Sequence, residues 1–380
     1  MSIRKLALAT LAGTVLLLPG ASWADPFTVT DVAGRQVQFD GPVDRVILGE
    51  GRLLYTLAAL ETDNPFAQVV GWRNDLMTTD FTGYNAYIAA FPAAADIPFL
   101  GNLTHGTLQT ETVVDLDPDV LILTIGSKKA ADEVKLEDML AQVGVKLVYV
   151  DFREHIIENT EPSLKLLGQL FDKQERARDI IDFWDEQTAR VTDVLARENP
   201  EKPLVFMYRA AGLGDCCGTF GNDNYGLMVK MAGGINLGAQ FLPGYTGTIN
   251  PEQVIASNPD FIVVTGSDWS QYSGSGDGPS YVNVGPNAAA DIEASRDALA
   301  ALMEQPAFTG AKAVADGNVY AIWHQFYASP YQFAPIQAMA KWFHPDLFAD
   351  LDPEATFKEF HEKFLPVPYQ PGYWLALDAE

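Results

Sequence analysis

The chain has 380 residues, 48% of them hydrophobic, enough for two globular domains by the usual size of a single core. It carries 50 Asp and Glu against 25 Lys and Arg, a net charge of −25. Such a surface repels nucleic acid and anionic lipid, which removes both from the expected partners.

Residues 1–24 have the order of an export signal: Arg4 and Lys5, the apolar run Leu6 to Leu18, then "ASWA", with small side chains at Ser22 and Ala24. The run is too short for a comfortable transmembrane span, and no cysteine follows the cleavage point to carry a lipid. The mature chain is expected to start at Asp25, outside the cytoplasm. Its net charge becomes −27 once Arg4 and Lys5 are lost.

After the signal, "FTVTDVAGRQVQFD" alternates around Gly34 and predicts a β-hairpin. Alternating units follow: strand "RVILG", helix 52–61, strand "VVGW", helix 82–91, strand "PFLG", helix 110–115, strand 120–124, helix 131–142 and strand "KLVYV". Strands alternating with helices between Gly and Pro predict a parallel sheet covered on both faces, a first α/β lobe over 25–172. Residues 173–198 contain no Gly or Pro, are dense in charge, and place Ile180, Phe183, Trp184, Val191, Val194 and Leu195 near helical spacing. They predict one connecting helix, roughly 39 Å long at 1.5 Å per residue. The second lobe, 199–380, restarts with strand "LVFMYR", the Gly-rich "GLGDCCGTFGNDNYG", helix "GLMVKMAG" and strand "FIVVTG". The polar stretch "SDWSQYSGSGDGPSYVNVGPN" reads as an exposed loop. Strand "GNVYAIW", helix "SPYQFAPIQAMAKWF" and helix "DPEATFKEFHEKF", capped by Asp352, complete it.

One phrase occurs twice. "ETVVDLDPDVLILTIG" (111–126) and "EQVIASNPDFIVVTGS" (252–267) share Glu, Pro-Asp and Thr at a constant offset of 141 positions. This period far exceeds that of stacked repeats, so the pattern is a pseudo-duplication: two lobes of one plan either side of one helix.

Cys216 and Cys217 are adjacent and are the only cysteines. Outside the cytoplasm a free pair is at risk of oxidation. A vicinal disulfide and two buried thiols both fit, whereas metal binding by the pair lacks further cysteines to complete a zinc set. No P-loop, G-x-S-x-G elbow or H-E-x-x-H motif occurs, and neither "GLGDCCG" nor "GSGDG" gives G-x-G-x-x-G. The five histidines show no metal-ligand spacing, and His344 and His361 fall near helix ends as structural residues.

The remaining signal lies at strand ends, where open α/β sheets bind ligands. Arg52 follows "RVILG", Arg73 follows "VVGW" and His105 follows "PFLG". Tyr208 and Arg209 end "LVFMYR", Trp269 follows "FIVVTG", and His324 and Tyr327 follow "GNVYAIW". Arginines, aromatics and histidines converging on one cleft suit a bulky, partly aromatic, anionic ligand.

The opening "VTDVAGRQVQF…VDRVI", the repeated Glu and Pro-Asp phrase, "MAGGINLG" (231–238), and "NVYAIW" followed by "SPYQFAPIQAMAKWFHP" resemble the periplasmic binding proteins of ABC importers for iron–siderophore complexes, haem and vitamin B12. The resemblance spans essentially the whole mature chain. It implies the class III plan: two Rossmann-like lobes with parallel sheets joined by a single long α-helix. It implies no catalysis and no cofactor, a location in a Gram-negative periplasm, a monomer, and a ferric siderophore complex as ligand. It also implies that Glu111 and Glu252 dock on the two subunits of a permease dimer in the inner membrane. Within the same plan, haem, cobalamin and an oxyanion such as molybdate are the alternatives, with His105, His324 or Tyr327 as axial ligands for haem. From another class, a periplasmic α/β enzyme would show turnover in place of tight stoichiometric binding.

Overall fold

The computed structural model describes residues 26–272 and 281–378. The predicted export signal, residues 1–24, and the middle of the polar loop, residues 273–280, lie outside them. A hairpin of β1 (Phe27–Thr30) and β2 (Gln36–Phe39) opens the fold. Gly34 supplies its turn at φ 78, a conformation that a Cβ disfavours.

The first sheet is wholly parallel, in the order β5 (Phe99–Leu100), β4 (Val69–Arg73), β3 (Val46–Leu48), β6 (Val120–Thr124), β7 (Lys146–Val150). β3 and β6 are buried at every residue, as strands covered on both faces must be. The second sheet runs β10 (Ile235–Asn236), β8 (Leu204–Tyr208), β12 (Phe261–Gly266), β13 (Val319–Trp323), β14 (Trp374–Ala376). Its first four strands are parallel. β14 is antiparallel to β13 and closes the edge, a strand that the sequence pattern does not announce. A small antiparallel pair, β9 (Gly218–Phe220) and β11 (Thr246–Thr248), lies beside the cleft.

Helix Gln174–Glu198 joins the lobes and ends at Asn199, φ 43, in the left-handed region. It is not a bare rod. Phe183 stacks edge-on against Phe333 at 5.3 Å and contacts Phe360 at 5.5 Å, so helices Phe333–Phe343 and Pro353–Phe364 of lobe two pack onto it. One core cluster runs from Val29 in lobe one through Ile180 to Tyr373 in lobe two.

Two predicted elements differ in detail, and one helix was not predicted. The helix expected over 131–142 is two short helices, Lys128–Glu133 and Leu136–Ala141, broken where Lys135 adopts φ 53. Helix Ile156–Leu170 was hidden by Pro162, which removes one backbone donor without ending the helix. The polar loop after β12 is not wholly exposed: Trp269, Val282 and Val284 are buried in lobe two.

The repeated phrase acquires a physical role. Asp119 of the first Pro-Asp accepts, through Oδ2, the N–H groups of Asp44 and Arg45 at 2.8 Å. Asp260 of the second accepts Leu204 N–H at 2.8 Å in the same way. In both lobes the aspartate's own N–H donates to the partner's carbonyl, Arg45 O and Leu204 O, at 2.8 Å. Each Pro-Asp thus fixes the entry of the lobe's first sheet strand, using backbone groups that would otherwise lack partners.

Candidate functional site

The carboxyl ends of both sheets face one another across a cleft that contains two adjoining cavities. The larger, about 480 Å³, is bordered by Arg52, Tyr208, Arg209, Trp269, His324 and Tyr327, together with Thr79 and Tyr272. The smaller, about 250 Å³, is bordered by Glu50, Arg52, Arg73, His105, Arg153 and Tyr245. All eight strand-end residues named from the sequence therefore border one cavity or the other, and Arg52 borders both.

Arg52 is held from three sides. Its guanidinium meets Glu50 Oε1 at 2.9 Å and Asp75 Oδ2 at 2.8 Å, and donates across the cleft to the Tyr327 hydroxyl. Gly51 makes this turn possible: a Cβ there would stand 2.2 Å from Arg73 O, and its N–H donates to Asp75 Oδ1 at 2.7 Å. Arg73 reaches the same carboxylate at 3.2 Å. Arg153, three residues beyond β7, meets Glu50 Oε2 at 2.8 Å and donates to the Tyr327 hydroxyl at 3.1 Å. Burial alone raises the Glu50 carboxyl, but the guanidiniums of Arg153, Arg52 and Arg73 outweigh burial and hold it at about 2.

His324 is buried, and burial together with Arg209, Arg52 and Arg153 keeps its imidazole well below the ordinary range, so it is neutral. Its Nδ1 lies 2.9 Å from Thr265 Oγ1. Trp269 stands edge-on to it at 5.5 Å. Tyr208 is largely a core residue, with its ring 5.5 Å from Phe308 and its hydroxyl donating to Gln305 Oε1 at 3.4 Å. His105 is exposed on the rim, Nδ1 3.4 Å from Asn102 Nδ2. Trp323, also near a strand end, points instead into the inter-lobe core against Tyr55 and Phe326.

Among the described residues that border the cavities, two buried donors have no acceptor: Nε of Arg209 and Nε of Arg153. Four arginines border the cavities, and only Glu50 and Asp75 ion-pair with them among the described residues. Asp151, Glu154 and Asp215 border the cavities as well, so with Glu50 the carboxylates equal the arginines in number, and it is the unpartnered guanidinium donors that suit an anionic guest. Sequence reasoning missed Arg153, Glu50 and Asp75. Arg153 was within its reach, since "KLVYVDFR" obeys the same strand-end rule as the other strands.

Cys216 and Cys217 are joined by a disulfide, with Cys217 buried, on the segment between Arg209 and Gly218 that edges the larger cavity. Thiol labelling of the denatured, unreduced protein should modify no cysteine, and both after reduction. Two labelled thiols before reduction would show the pair to be open.

Glu111 and Glu252 are exposed on short helices, Thr110–Asp115 and Pro251–Ser257, one on each lobe and away from the residues bordering the cavities.

A model of the family described as periplasmic binding protein matches residues 84–325, more than half of the chain. The chain belongs to this family, whose members are substrate-binding proteins of transport and not enzymes. The crystal structure of the TroA-like periplasmic binding protein FepB from Veillonella parvula is 29% identical, with a TM-score of 0.82 over 92% of this chain and 99% of that one. The molybdate-binding protein MolA of Haemophilus influenzae is 20% identical over 98% of this chain and 99% of its own length. The periplasmic haem-binding protein RhuT from Roseiflexus is 18% identical with a TM-score of 0.55, covering 80% of this chain and 99% of that one. The fold is the class III, TroA-like plan. No helix among the described residues is long and apolar enough to cross a membrane.

Proposed function

We propose that the protein captures an anionic ferric chelate of the siderophore type in the cleft and delivers it to an ABC importer. The observation that carries this reading is the pair of buried, acceptor-less guanidinium donors, Arg153 and Arg209, at cavities that also present Trp269, Tyr272 and Tyr327. The larger cavity, about 480 Å³, falls within the roughly 300–1,000 Å³ of sites for organic ligands. Aromatic walls suit the planar rings of a chelate, and the unpartnered guanidinium donors suit its anionic oxygens.

A second reading, a tetrahedral oxyanion, is favoured by the smaller cavity, where Arg73 and Arg153 stand with Thr124 and Ser127. The MolA relative, named for molybdate, gives this reading its ligand class. Fluorescence titration separates the two. A ferric tris-catecholate complex should quench the emission of Trp269 with one-to-one stoichiometry, and iron from a weak competing chelator should quench far less. Equal binding of bare iron and complex would sink the chelate reading, and tight binding of molybdate with none of the complex would install the second. A strong Soret band on mixing with haem would displace both.

A further inference from the structure

Beside the ligand cavity, where Gln325 Oε1 lies 3.5 Å from Arg52, the lobes are stitched together by a second, anionic seam. The junction between helices Asp75–Thr79 and Phe81–Ala90 of lobe one lies against the segment after β12 in lobe two. Phe81 N–H donates to Asp268 O at 3.1 Å, the Thr82 hydroxyl donates to Asp268 Oδ2 at 2.6 Å, and Gln325 Nε2 donates to Thr79 O at 2.7 Å. At its centre Asp80 is completely buried. The Tyr55 hydroxyl donates to its Oδ2 at 2.6 Å, and Ser267 Oγ, from the other lobe, lies 3.3 Å from its Oδ1.

No cation ion-pairs with Asp80 among the described residues. The ionisable groups facing it are Tyr55 from helix Leu54–Leu60, Tyr87 from helix Phe81–Ala90, Tyr373 from the segment before β14, and Asp268. Closing the lobes thus brings the dry Asp80 carboxyl, with only hydroxyls and an amide for partners, towards the half-buried carboxylate of Asp268. A buried carboxylate in that position is disfavoured as an anion both by lost hydration and by its neighbour's charge.

We propose that Asp80, with Ser267 and Asp268, forms a proton-operated latch between the lobes: closed with Asp80 protonated, loosened when it ionises. A proton on Oδ1 reverses the contact to Ser267, so that the carboxyl donates to Ser267 Oγ across the seam. The direction of titration agrees. Burial lifts the Asp80 carboxyl from the usual 3.8 to about 7; Asp268 adds to the rise, while hydrogen bonds from Tyr55, Gly83 N–H and Ser267 restrain it. With the seam open and Asp80 hydrated, the group returns towards its ordinary value. Between those two values the closed form holds one more proton than the open form. Closure therefore weakens as pH rises through that window and levels off above it, and the open population grows about tenfold between pH 6 and pH 8.

The Phe81 amide reports the seam directly, with no ligand required, so the outcome is independent of what the cleft binds. Hydrogen exchange of the ligand-free protein, corrected for the intrinsic rate, should show the protection of Phe81 falling about tenfold from pH 6 to pH 8. In Asp80→Asn, a neutral isostere of the protonated acid, protection should be flat over the same range. In Asp268→Asn, which removes a charge that raises the Asp80 carboxyl, the fall should level off at lower pH and be smaller between pH 6 and pH 8. The latch is overturned if Asp80→Asn keeps the wild-type fall or if wild type shows none. It is equally overturned if Phe81 exchanges as slowly as Val148 in β7, because the seam would then open only with the whole fold.

Discussion

Replacing Arg52 by alanine should destabilise the fold by about 3–5 kcal/mol and abolish ligand capture, the first because a buried ion pair loses one partner. The guanidinium is 4% exposed and is the common partner of Glu50 and Asp75, themselves 3% and 4% exposed. Its loss leaves Asp75 with the longer contact to Arg73 as its remaining ion pair and Glu50 with Arg153 as its close partner, and cuts the link to Tyr327 across the cleft. The acid limb should move as well. Glu50, held at about 2, stabilises the native state above its ordinary value of 4.5, and that stability is lost as pH falls from there through about 2. With Arg52 gone the contribution shrinks, so the variant should lose less on acidification even though it starts weaker. Arg209→Ala is the informative contrast. Among the described residues Arg209 makes no ion pair, and its Nε lacks an acceptor. That variant should melt near wild type yet bind about tenfold more weakly or worse, since a hydrogen bond to a charged group is worth about 1.5–3 kcal/mol. Urea melts and ligand titrations on both variants check the pair. An Arg52→Ala protein as stable as wild type, or an Arg209→Ala protein that binds fully, would remove the cluster from the site.

The contrast shows which parts of the molecule are written locally. The two-lobe plan is local: buried strands such as Val120–Thr124 are unbroken apolar runs, and Gln174–Glu198 keeps helical spacing without a breaker. Positions at strand ends follow from the same pattern, which is why Arg52, Arg209 and Tyr327 were within reach. Partners are not local. Glu50 meets Arg153 from 103 positions away, and Arg52 meets Tyr327 from 275. No periodicity encodes such pairings, so Arg52 read as a free counter-charge when it is already ion-paired. Short or atypical elements were lost for separate reasons. β14 is three residues long, helix Ile156–Leu170 contains Pro162, and helix Ile292–Met303 follows a polar loop with small side chains in place of a strong apolar stripe. Polarity also misled over that loop, because Trp269 and Val282 are buried whatever their neighbours' composition.

Alanine at both Glu111 and Glu252 should leave ligand affinity unchanged and nearly abolish transport, with each single change causing a partial loss. Most of the repeated phrase has a folding explanation. Val113 and Val254 are buried under their helices, Pro118 and Pro259 are buried, and Asp119 and Asp260 anchor the first sheet strand of each lobe. The glutamates have none. Both are exposed in the first turn of a helix of six or seven residues, where the helix dipole favours a carboxylate by well under about 1 kcal/mol. A charge repeated at matching points of two lobes, but not required by either, fits a partner that engages both lobes at once. We propose the permease dimer for that role, each glutamate pairing with a cation on one subunit, at a cost of about 2 kcal/mol or more when one member of a desolvated pair is removed. Asp119→Ala is the control for the folding half of the phrase: it should lower the melting temperature, which the glutamate variants should not. Uptake by cells carrying each variant, with ligand titration and melting of the purified proteins, decides the matter. Undiminished transport in the double variant, or weakened ligand binding in either single one, would reduce the repeat to a signature of folding alone.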